Sequence, residues 1–447
     1  MDKNILSIIK DRQFDDLQVL FAHMNAVDIA DALEHSDAAA AVEAFRIVDE
    51  RISSDVFSYL SADRQHAILG KLSDNEVMEI MEDLSVDDMV DFVEDAPDDV
   101  ANRVFEAVSD EKSEIVDRIL DYPDDSAGSI MTTEIVELAP LTTVKDALHT
   151  IRTSGVDKET IYTCYVIDDE RKLIGAVTAD TLLYSRLNES VGDLMDVNII
   201  SANVDDDREE LATKFSKYDL LAMPVINRND RLVGIVTIDD ILRVITEEDT
   251  EDFSKIAGVK PTEVPYMKTG VLAHAKSRII WLITLLVTAA VAGIVLGVFE
   301  DSLEQMAILV AFTPMLMGAG GNAGAQSATL VIRGMALGEI VKSDLAKLIW
   351  RETRIAIICA AILGLANFAR IFLMYSGREY TVTLAWVVSL SLAITLIVSK
   401  TIGCALPIVA KQFKMDPAVM AAPLITAIVD CAALIVFYFI ARSAFGI

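Results

Sequence analysis

The sequence contains few of the residues from which enzyme and metal–thiolate sites are built. Among its 447 residues are four cysteines and five histidines, and no two cysteines form a C-x-x-C pair. This excludes zinc-ribbon and dithiol redox motifs. No histidine lies near a plausible nucleophile, and no phosphate-binding glycine loop precedes a soluble helix. We therefore expect neither an enzyme nor an ATP-driven pump.

We also expect no cleavable targeting segment. The chain begins MDKNILSIIKDRQFDD, without the apolar core and cleavage site of a signal peptide. We therefore expect the N-terminal half to stay in the cytosol, where its cysteine remains reduced.

Basic residues are scarce in the first half of the chain. Residues 1–252 carry 59 acidic and 22 basic side chains, a net charge of −37, whereas residues 253–447 have a net charge of +6. Such a negative field repels nucleic acid and anionic lipid, and it opposes compaction unless cations offset it. The alternative is that the acidity only keeps this half soluble.

Five apolar runs follow, each about 20 residues or longer, which as helices would cross roughly 30 Å of hydrocarbon. They cover residues 279–299, 306–328, 355–375, 384–407 and 418–441. We predict a multi-pass protein of the plasma (inner) membrane, in contact with the lipid bilayer.

The loops between these runs alternate in charge. Basic residues precede the first span and follow the second and fourth, ending at Lys414, whereas the loop after the first span holds Glu300, Asp301 and Glu304 without Lys or Arg. The positive-inside rule then places the soluble half and the basic loops in the cytosol. An odd number of spans puts the C-terminus outside.

The second span is rich in small residues. It contains PMLMGAGGNAGAQS, from Pro314 to Ser327. Small residues allow helices to approach closely, and tight packing is one interpretation of this segment. Asn322 and Gln326, one turn apart, favour the other interpretation, a polar pore lining.

The fifth span starts after Asp416-Pro417 and contains Thr426 and Asp430. Asp430 is the only acidic residue deep inside any predicted span, where an unpaired carboxylate costs about 2.5–3.5 kcal/mol. We predict that it ligates a cation, the alternative being a cap of a broken helix. Carboxylate, hydroxyl, carbonyl and water oxygens suit Mg²⁺, which keeps most of its waters. One carboxylate per chain suggests that two or more chains share the pore.

The acidic half divides into two patterns. Within residues 48–121, apolar residues recur every 12 positions before short amphipathic stretches, which predicts a small helical superhelix. Residues 127–246 contain two similar strand-rich units, one with LIGAVTADTLL from Leu173 and one with LVGIVTIDDIL from Leu232. The repeated motif resembles a tandem pair of CBS domains. We expect a connecting helix after it, at 247–275.

In this order, the segments resemble the MgtE family of magnesium channels over essentially the whole chain. The closest matches are PMLMGAGGNAGAQSATL, from Pro314, and DPAVMAAPLITAIVD, ending at Asp430. The fold class implied is a multidomain membrane protein with an α-helical superhelix N domain, α/β tandem CBS domains, a connecting helix and a five-helix transmembrane domain. The predicted boundaries are 1–126, 127–246, 247–275 and 276–447.

The resemblance implies a homodimer with its pore on the two-fold axis, lined by the second and fifth spans. Asp430 would be the central ligand for hydrated Mg²⁺, with Thr426 and Asn322 beside it. Cytosolic Mg²⁺ would bind between the acidic domains and close the pore. The regulatory ligands implied are Asp87, Asp91, Asp207, Glu209, Asp219, Asp240, Glu248, Glu251 and Asp252.

Two departures from the family pattern qualify this assignment. Ala422 replaces an asparagine just before the proline of the fifth span, which removes an oxygen near the pore and leaves the ion selectivity open. Tyr162 and Asp180 resemble an ATP site that some members have, but Ala179 stands at its basic position. The alternatives are a broader carrier of Co²⁺, Mn²⁺ or Ni²⁺, and a CBS-containing membrane sensor that transports nothing.

Overall fold

The computed structural model describes residues 3–154, 158–262, 266–267, 269–299, 307–413, 415–420 and 422–446. The chain forms two compact units, an N-terminal unit, Met1–Ile245, and a C-terminal unit, Thr246–Ile447. The loop residues Glu300, Asp301, Glu304 and Lys414, used above to predict orientation, lie outside the described residues.

Short helices build the first part of the N-terminal unit. They are α1 Lys3–Lys10, α2 Phe14–Phe21, α3 Ala26–Glu34, α4 Ala38–Phe45, α5 Glu50–Ser58, α6 Ala62–Leu69, α7 Asp74–Asp83, α8 Val86–Asp95, α9 Asp98–Ala107 and α10 Asp110–Leu120. The 12-residue spacing is confirmed, since Leu60, Leu72 and Leu84 each lie buried between consecutive helices. Burial of one apolar residue per repeat is what stacks the short helices into a superhelix.

One helix start shows how the acidic sequence forms this structure. Ser73 caps α7, and the Glu76 carboxylate accepts from the Ser73 backbone amide, which completes a capping box. Ser85 precedes α8 in the same way but makes no side-chain capping bond.

The rest of the unit contains two small three-stranded sheets with the same topology. In each, a short parallel strand and a two-strand antiparallel hairpin lie side by side, in the orders β1-β2-β3 and β4-β5-β6. The first group is β1 Glu137–Leu138, α11 Val144–Ser154, β2 Thr163–Ile167, β3 Leu173–Thr178, α12 Ala179–Tyr184 and α13 Val191–Leu194. The second is β4 Ala202–Asn203, α14 Arg208–Tyr218, β5 Ala222–Ile226, β6 Leu232–Thr237 and α15 Ile238–Ile256.

Helix α15 corrects the predicted connecting helix at 247–275. It begins nine residues earlier, directly after β6, and it ends at Ile256. Gly258 then adopts φ +69°, and its amide donates to Lys255 while that of Val259 donates to Ser254. This is a Schellman ending, in which a left-handed glycine satisfies the last carbonyls and turns the chain away from the helix axis.

Five helices in the described part of the C-terminal unit are long and apolar enough to cross a membrane, as predicted. They are α16 Val271–Val298, α17 Thr313–Ala336, α18 Leu345–Met374, α19 Thr381–Gln412 and α20 Ala422–Phe445. A 3₁₀ turn, Ala307–Phe312, extends α17, and another, Pro417–Met420, precedes α20. The buried core of this unit lies among α17, α18, α19 and α20, whereas α16 has no buried residue.

Candidate ion pathway and acidic clusters

Asp430 lies near the middle of α20 and is half-buried in the single chain. Within the described part of the chain its Oδ1 atom is buried and has no hydrogen-bond partner. A buried carboxylate oxygen without a donor is costly, and native structures normally supply one. The role of Asp430 as a cation ligand stays a prediction.

The glycines of α17 bring its backbone against α19 and α20. A Cβ on Gly321 would lie 2.8 Å from Thr426 Cγ2, and one on Gly324 would lie 2.8 Å from Ile425 Cγ2. On Gly320 it would lie 2.9 Å from a Val429 methyl group, one residue before Asp430. The small residues are thus used for close helix packing, which was one of the two interpretations of the sequence.

The polar residues of α17 lie on another side of the helix. Asn322 and Gln326 are exposed in the single chain, although both neighbour buried small residues. Thr426, one turn before Asp430, packs against Gly321. The helix therefore combines a glycine face packed on α20 with a polar face exposed in the single chain, and the interpretation of that polar face as a pore lining stays a prediction.

The structure adds a buried ionic network that the sequence analysis did not identify. Ser327 Oγ donates to Glu352 Oε2 at 2.7 Å, and Lys400 Nζ donates to Ser327 Oγ at 3.2 Å. Lys400 Nζ also lies 3.6 Å from Glu352 Oε2, and all three residues are at least 92% buried. Glu352 lies outside the predicted third span but inside α18. Lys400 is the one charged residue in the sequence of the predicted fourth span, and it could have indicated this network, because a charge at that depth needs a partner.

Three of the predicted regulatory ligands come together in the N-terminal unit. Asp87 and Asp91 on α8 face Asp240 on α15, and all three contact the guanidinium of Arg243. The side chains of Asp87 and Asp240 are only 8% and 7% exposed. Asp88, on the same helix as Asp87, also pairs with Arg243 at 3.4 Å. We call these five residues the Arg243 cluster.

The carboxylates of this cluster are crowded. Burial raises the pKa of Asp87 well above its ordinary value, and repulsion from Asp240 adds to the increase. Burial also raises the pKa of Asp240, although hydrogen bonds from Thr237 and Arg243 oppose it. Nearby, burial and repulsion from Asp239 and Asp240 raise the pKa of Glu159 to about 7. Arg243 thus offsets only part of the negative charge at this place.

A second group of carboxylates lies in the C-terminal unit. Lys255 Nζ is 2.6 Å from Glu251 Oε1 and 2.6 Å from Asp416 Oδ2. Asp252, a further predicted ligand, is partly buried, and burial together with repulsion from Asp416 raises its pKa. Glu248 is partly buried one turn earlier on α15. We call Lys255, Glu251 and Asp416 the Lys255 cluster.

The remaining regulatory candidates do not form a single site within one chain. Asp207 caps the start of α14 and accepts a bond from the Glu209 amide, whereas Asp219 ends the same helix with φ +50°. Eleven helical residues separate the two ends by roughly 16 Å, too far for one ion to bridge. Among the described residues, no group of three or more His, Cys, Asp or Glu side chains is arranged to hold a metal ion.

Tyr162 and Asp180 lie side by side in the first CBS-like unit. The Tyr162 carbonyl accepts a bond from the Ala179 amide at 2.9 Å, which joins the start of β2 to the start of α12. Both side chains are exposed. ATP binding there stays a prediction.

Three family models match the chain in the order of these segments. "MgtE intracellular N domain" matches residues 24–125, "CBS domain" matches 127–188 and 191–247, and the MgtE model, described as "Divalent cation transporter", matches 313–440. The chain is also 33% identical to the magnesium transporter MgtE of Bacillus subtilis, over 87% of this chain and 85% of that protein. The chain belongs to the MgtE family.

The likeness to other MgtE proteins covers both units. The magnesium transporter MgtE of Thermus thermophilus is 30% identical over 93% of this chain and 98% of its own length. A crystal structure titled as the soluble part of a magnesium transporter matches 55% of this chain and 96% of its own, with 27% identity and a TM-score of 0.51. MgtE proteins are transporters, so this chain is not an enzyme, and both Asp430 and the glycines of α17 lie within the transporter model.

Proposed function

We propose that the protein is a homodimeric Mg²⁺ channel of the plasma membrane, with a pore lined by α17 and α20. Asp430 is its central ligand, with Thr426 and Asn322 nearby, and cytosolic Mg²⁺ closes it by binding to the acidic residues of the N-terminal unit and α15. The names of the two curated relatives support Mg²⁺ as the transported ion.

The observation that carries the proposal is the buried Oδ1 of Asp430, which has no hydrogen-bond partner among the residues that the structure describes, beside the contact of α20 with the glycines of α17. A single fixed carboxylate suits an ion that retains most of its water shell, because Mg²⁺ sheds water reluctantly and takes one or two carboxylates. The uncovered Asn322 and Gln326 favour a second copy of the chain opposite them, since polar residues at membrane depth are tolerated against protein or water.

The test is Mg²⁺ uptake by sealed liposomes that contain purified protein. Asp430→Asn keeps the size of the side chain and removes its charge, and we expect uptake to fall to the level of empty liposomes. Asp344→Asn is the control, because Asp344 lies just before α18 and pairs with Lys347, three residues away, at 3.1 Å. Undiminished uptake by Asp430→Asn would refute the pore assignment.

A broader divalent-cation carrier is the second candidate, and the family description "Divalent cation transporter" favours it. Competition of Co²⁺, Mn²⁺ and Ni²⁺ with Mg²⁺ in the same liposomes separates the two. A channel selective for Mg²⁺ shows weak competition and no saturation typical of a carrier, whereas a non-transporting sensor shows no uptake at all.

The orientation is part of the proposal. Arg333, Lys347, Arg351 and Arg354 lie in the segment from the end of α17 to the first turns of α18, and they support a cytosolic location for that connection. The C-terminus is then outside. A protease-cleavable tag added after residue 447 should be removed when protease is added outside intact cells. Protection of that tag would indicate the opposite orientation.

A further inference from the structure

Helix α15 carries two basic residues within the acidic surroundings predicted to bind regulatory Mg²⁺. Arg243 lies near the start of the helix and Lys255 near its end. Each side chain contacts carboxylates on α15 and on a second segment of its own unit. The acidic residues are therefore already bridged by cations that belong to the chain.

The contacts of Arg243 resemble those expected of a bridging ion. Its Nη1 lies 3.2 Å from Asp91 Oδ2 and 3.4 Å from Asp88 Oδ1, both on α8. Its Nη2 bonds Asp240 on α15 and lies 4.0 Å from Asp87 Oδ2. A planar guanidinium can serve two carboxylates at once, which a lysine ammonium does less well. One side chain thus joins the helical repeat to the second CBS unit.

The Arg243 cluster still carries more negative than positive charge. Four carboxylates face one guanidinium, and Asp87 Oδ1 is buried without a hydrogen-bond partner in the described part of the chain. A divalent cation at this place would compete with Arg243 for the same oxygens. Unlike a free ion, the tethered side chain cannot be diluted away, because its effective concentration is set by the chain.

We propose that Arg243 takes the place of a regulatory divalent cation between α8 and α15 and holds the helical repeat against the second CBS unit when Mg²⁺ is scarce. For its regulatory meaning the inference rests on the proposed closure by cytosolic Mg²⁺. Arg243 makes this chain less dependent on Mg²⁺ for the contact between α8 and α15 than the acidity of the chain alone suggests. Removal of Arg243 converts the cluster into one that needs Mg²⁺.

The Lys255 cluster is a second case of the same arrangement, within the C-terminal unit. The ammonium joins Glu251, on the last turns of α15, to Asp416, just before α20. Its side chain is 25% exposed, so solvent screens this bridge only partly. Here too a chain cation bridges carboxylates from two segments without a metal.

The test measures cleavage of the full chain in lipid nanodiscs by chymotrypsin, which does not cut at arginine. In EDTA we expect Arg243→Ala to be cleaved within its N-terminal unit about fivefold faster than the original protein. Millimolar Mg²⁺ should restore the original rate, and Arg243→Lys, which keeps the charge, should fall between the two. Arg228→Ala is the matched control, because Arg228 lies in the same CBS unit and pairs with Asp205, outside the cluster.

The outcomes decide the inference. Equal cleavage of Arg243→Ala and the original protein in EDTA would overturn it. Faster cleavage that Mg²⁺ does not reverse would also overturn it, because Arg243 would then be needed for folding and not replaceable by an ion. If Mg²⁺ does restore protection, adding Asp87→Asn to Arg243→Ala should abolish the rescue.

The assay stands apart from the test of the proposed function. Cleavage in nanodiscs reports on the α8–α15 contact whether or not the protein transports ions. A chain without Mg²⁺ uptake that still shows the Mg²⁺-reversible effect would refute the channel and retain the role of Arg243. Normal Mg²⁺ uptake, combined with no effect of Arg243→Ala on cleavage, would retain the channel and refute the role of Arg243.

Discussion

The buried carboxylates of Asp87 and Asp240 in the N-terminal unit differ from that of Asp430 in the membrane helices in their pairing with a cation of the chain. Asp87 and Asp240 are almost fully buried, yet Arg243 lies against both of them. Asp430 is half-buried, and within the described residues its buried oxygen has no partner. The difference suggests a division of roles. A carboxylate with a tethered cation stabilises a contact between segments, whereas one without a cation is available to a passing ion.

We expect the largest effect when a tethered cation is placed beside Asp430. Ala427 precedes Asp430 by three residues on α20 and is partly exposed. Ala427→Lys should place an ammonium beside Asp430 and reduce Mg²⁺ uptake by liposomes to background, because residues three apart on a helix are neighbours. Ala427→Met adds a long side chain without the charge, and it should retain most uptake. Equal uptake by the two variants would contradict the idea that Asp430 must stay unpaired.

The glycine face of α17 offers the next test. Gly321→Ala would bring a methyl group 2.8 Å from Thr426 Cγ2, so the Thr426 side chain or α20 must shift, and we expect the shift to disturb Asp430 one turn away. We expect roughly tenfold slower Mg²⁺ uptake, since overpacking of a tight contact costs about 1–3 kcal/mol. Gly318→Ala on the same helix meets no atom of the described residues within 4 Å beyond the neighbouring backbone of its own helix, and it should leave uptake unchanged. If both variants behave alike, close packing at Gly321 does not position Asp430.

Within the membrane helices, the carboxylate of Glu352 does have a tethered cation, which is the ammonium of Lys400. Lys400→Met leaves Glu352 buried without its cation, and loss of one partner of a buried pair costs about 3–5 kcal/mol. We expect a clearly lower midpoint of thermal unfolding in detergent. The double variant Glu352→Gln with Lys400→Met removes both charges and should recover much of the loss. A double variant as unstable as Lys400→Met would show that the charges are not coupled.

The crowded carboxylates of the N-terminal unit predict a dependence on pH. Glu159 has a pKa of about 7 in the folded chain, well above the ordinary value of 4.5, because of burial and nearby carboxylates. The folded state therefore holds a proton that the unfolded chain releases, and stability falls as the pH rises from about 4.5 to 7. In EDTA, the unfolding midpoint of the N-terminal unit should decrease over this range. Glu159→Gln should flatten the decrease, and an unchanged slope would contradict the assignment.

The smallest expected effect concerns the capping box of α7. Ser73→Ala removes the hydroxyl that accepts from the Glu76 amide, which costs about 1 kcal/mol in comparable helices. Ser53→Ala is the control, because that hydroxyl donates to the Glu50 carbonyl of its own helix and does not cap a helix start. Chemical denaturation of the two variants should separate them. Equal stabilities would mean that tertiary packing, and not the cap, fixes the start of α7.

The architecture could be predicted because it depends on patterns that are local in sequence. The 12-residue spacing places Leu60, Leu72 and Leu84 in the core, and the repeated LIGAVT and LVGIVT segments become the equivalent strands β3 and β6. Long apolar runs become long helices, since the bilayer selects for length and apolarity. The end of α15 at Ile256 was not predicted, because the left-handed conformation of Gly258 determines it. A single glycine between charged residues only weakly indicates the end of a helix.

The pairing of charges could not be predicted in the same way. The acidic residues of the regulatory set were predicted from residue type and family resemblance, but the sequence analysis did not single out Arg243 and Lys255 within the large excess of negative charge. Their partners are distant along the chain. Asp91 and Arg243 are 152 residues apart, and Lys255 pairs with Asp416. Contacts of this kind follow only from the folded arrangement of α8, α15 and the segment before α20.

The glycines that let α17 pack closely also have a consequence for synthesis of the protein. Each glycine disfavours an isolated helix by about 1 kcal/mol relative to alanine. The span containing α17 is also the least apolar of the five candidate spans. As it leaves the ribosome, this segment has little tendency of its own either to form a helix or to enter lipid. We expect its insertion to depend on the more apolar α16 and α18 that are made just before and just after it.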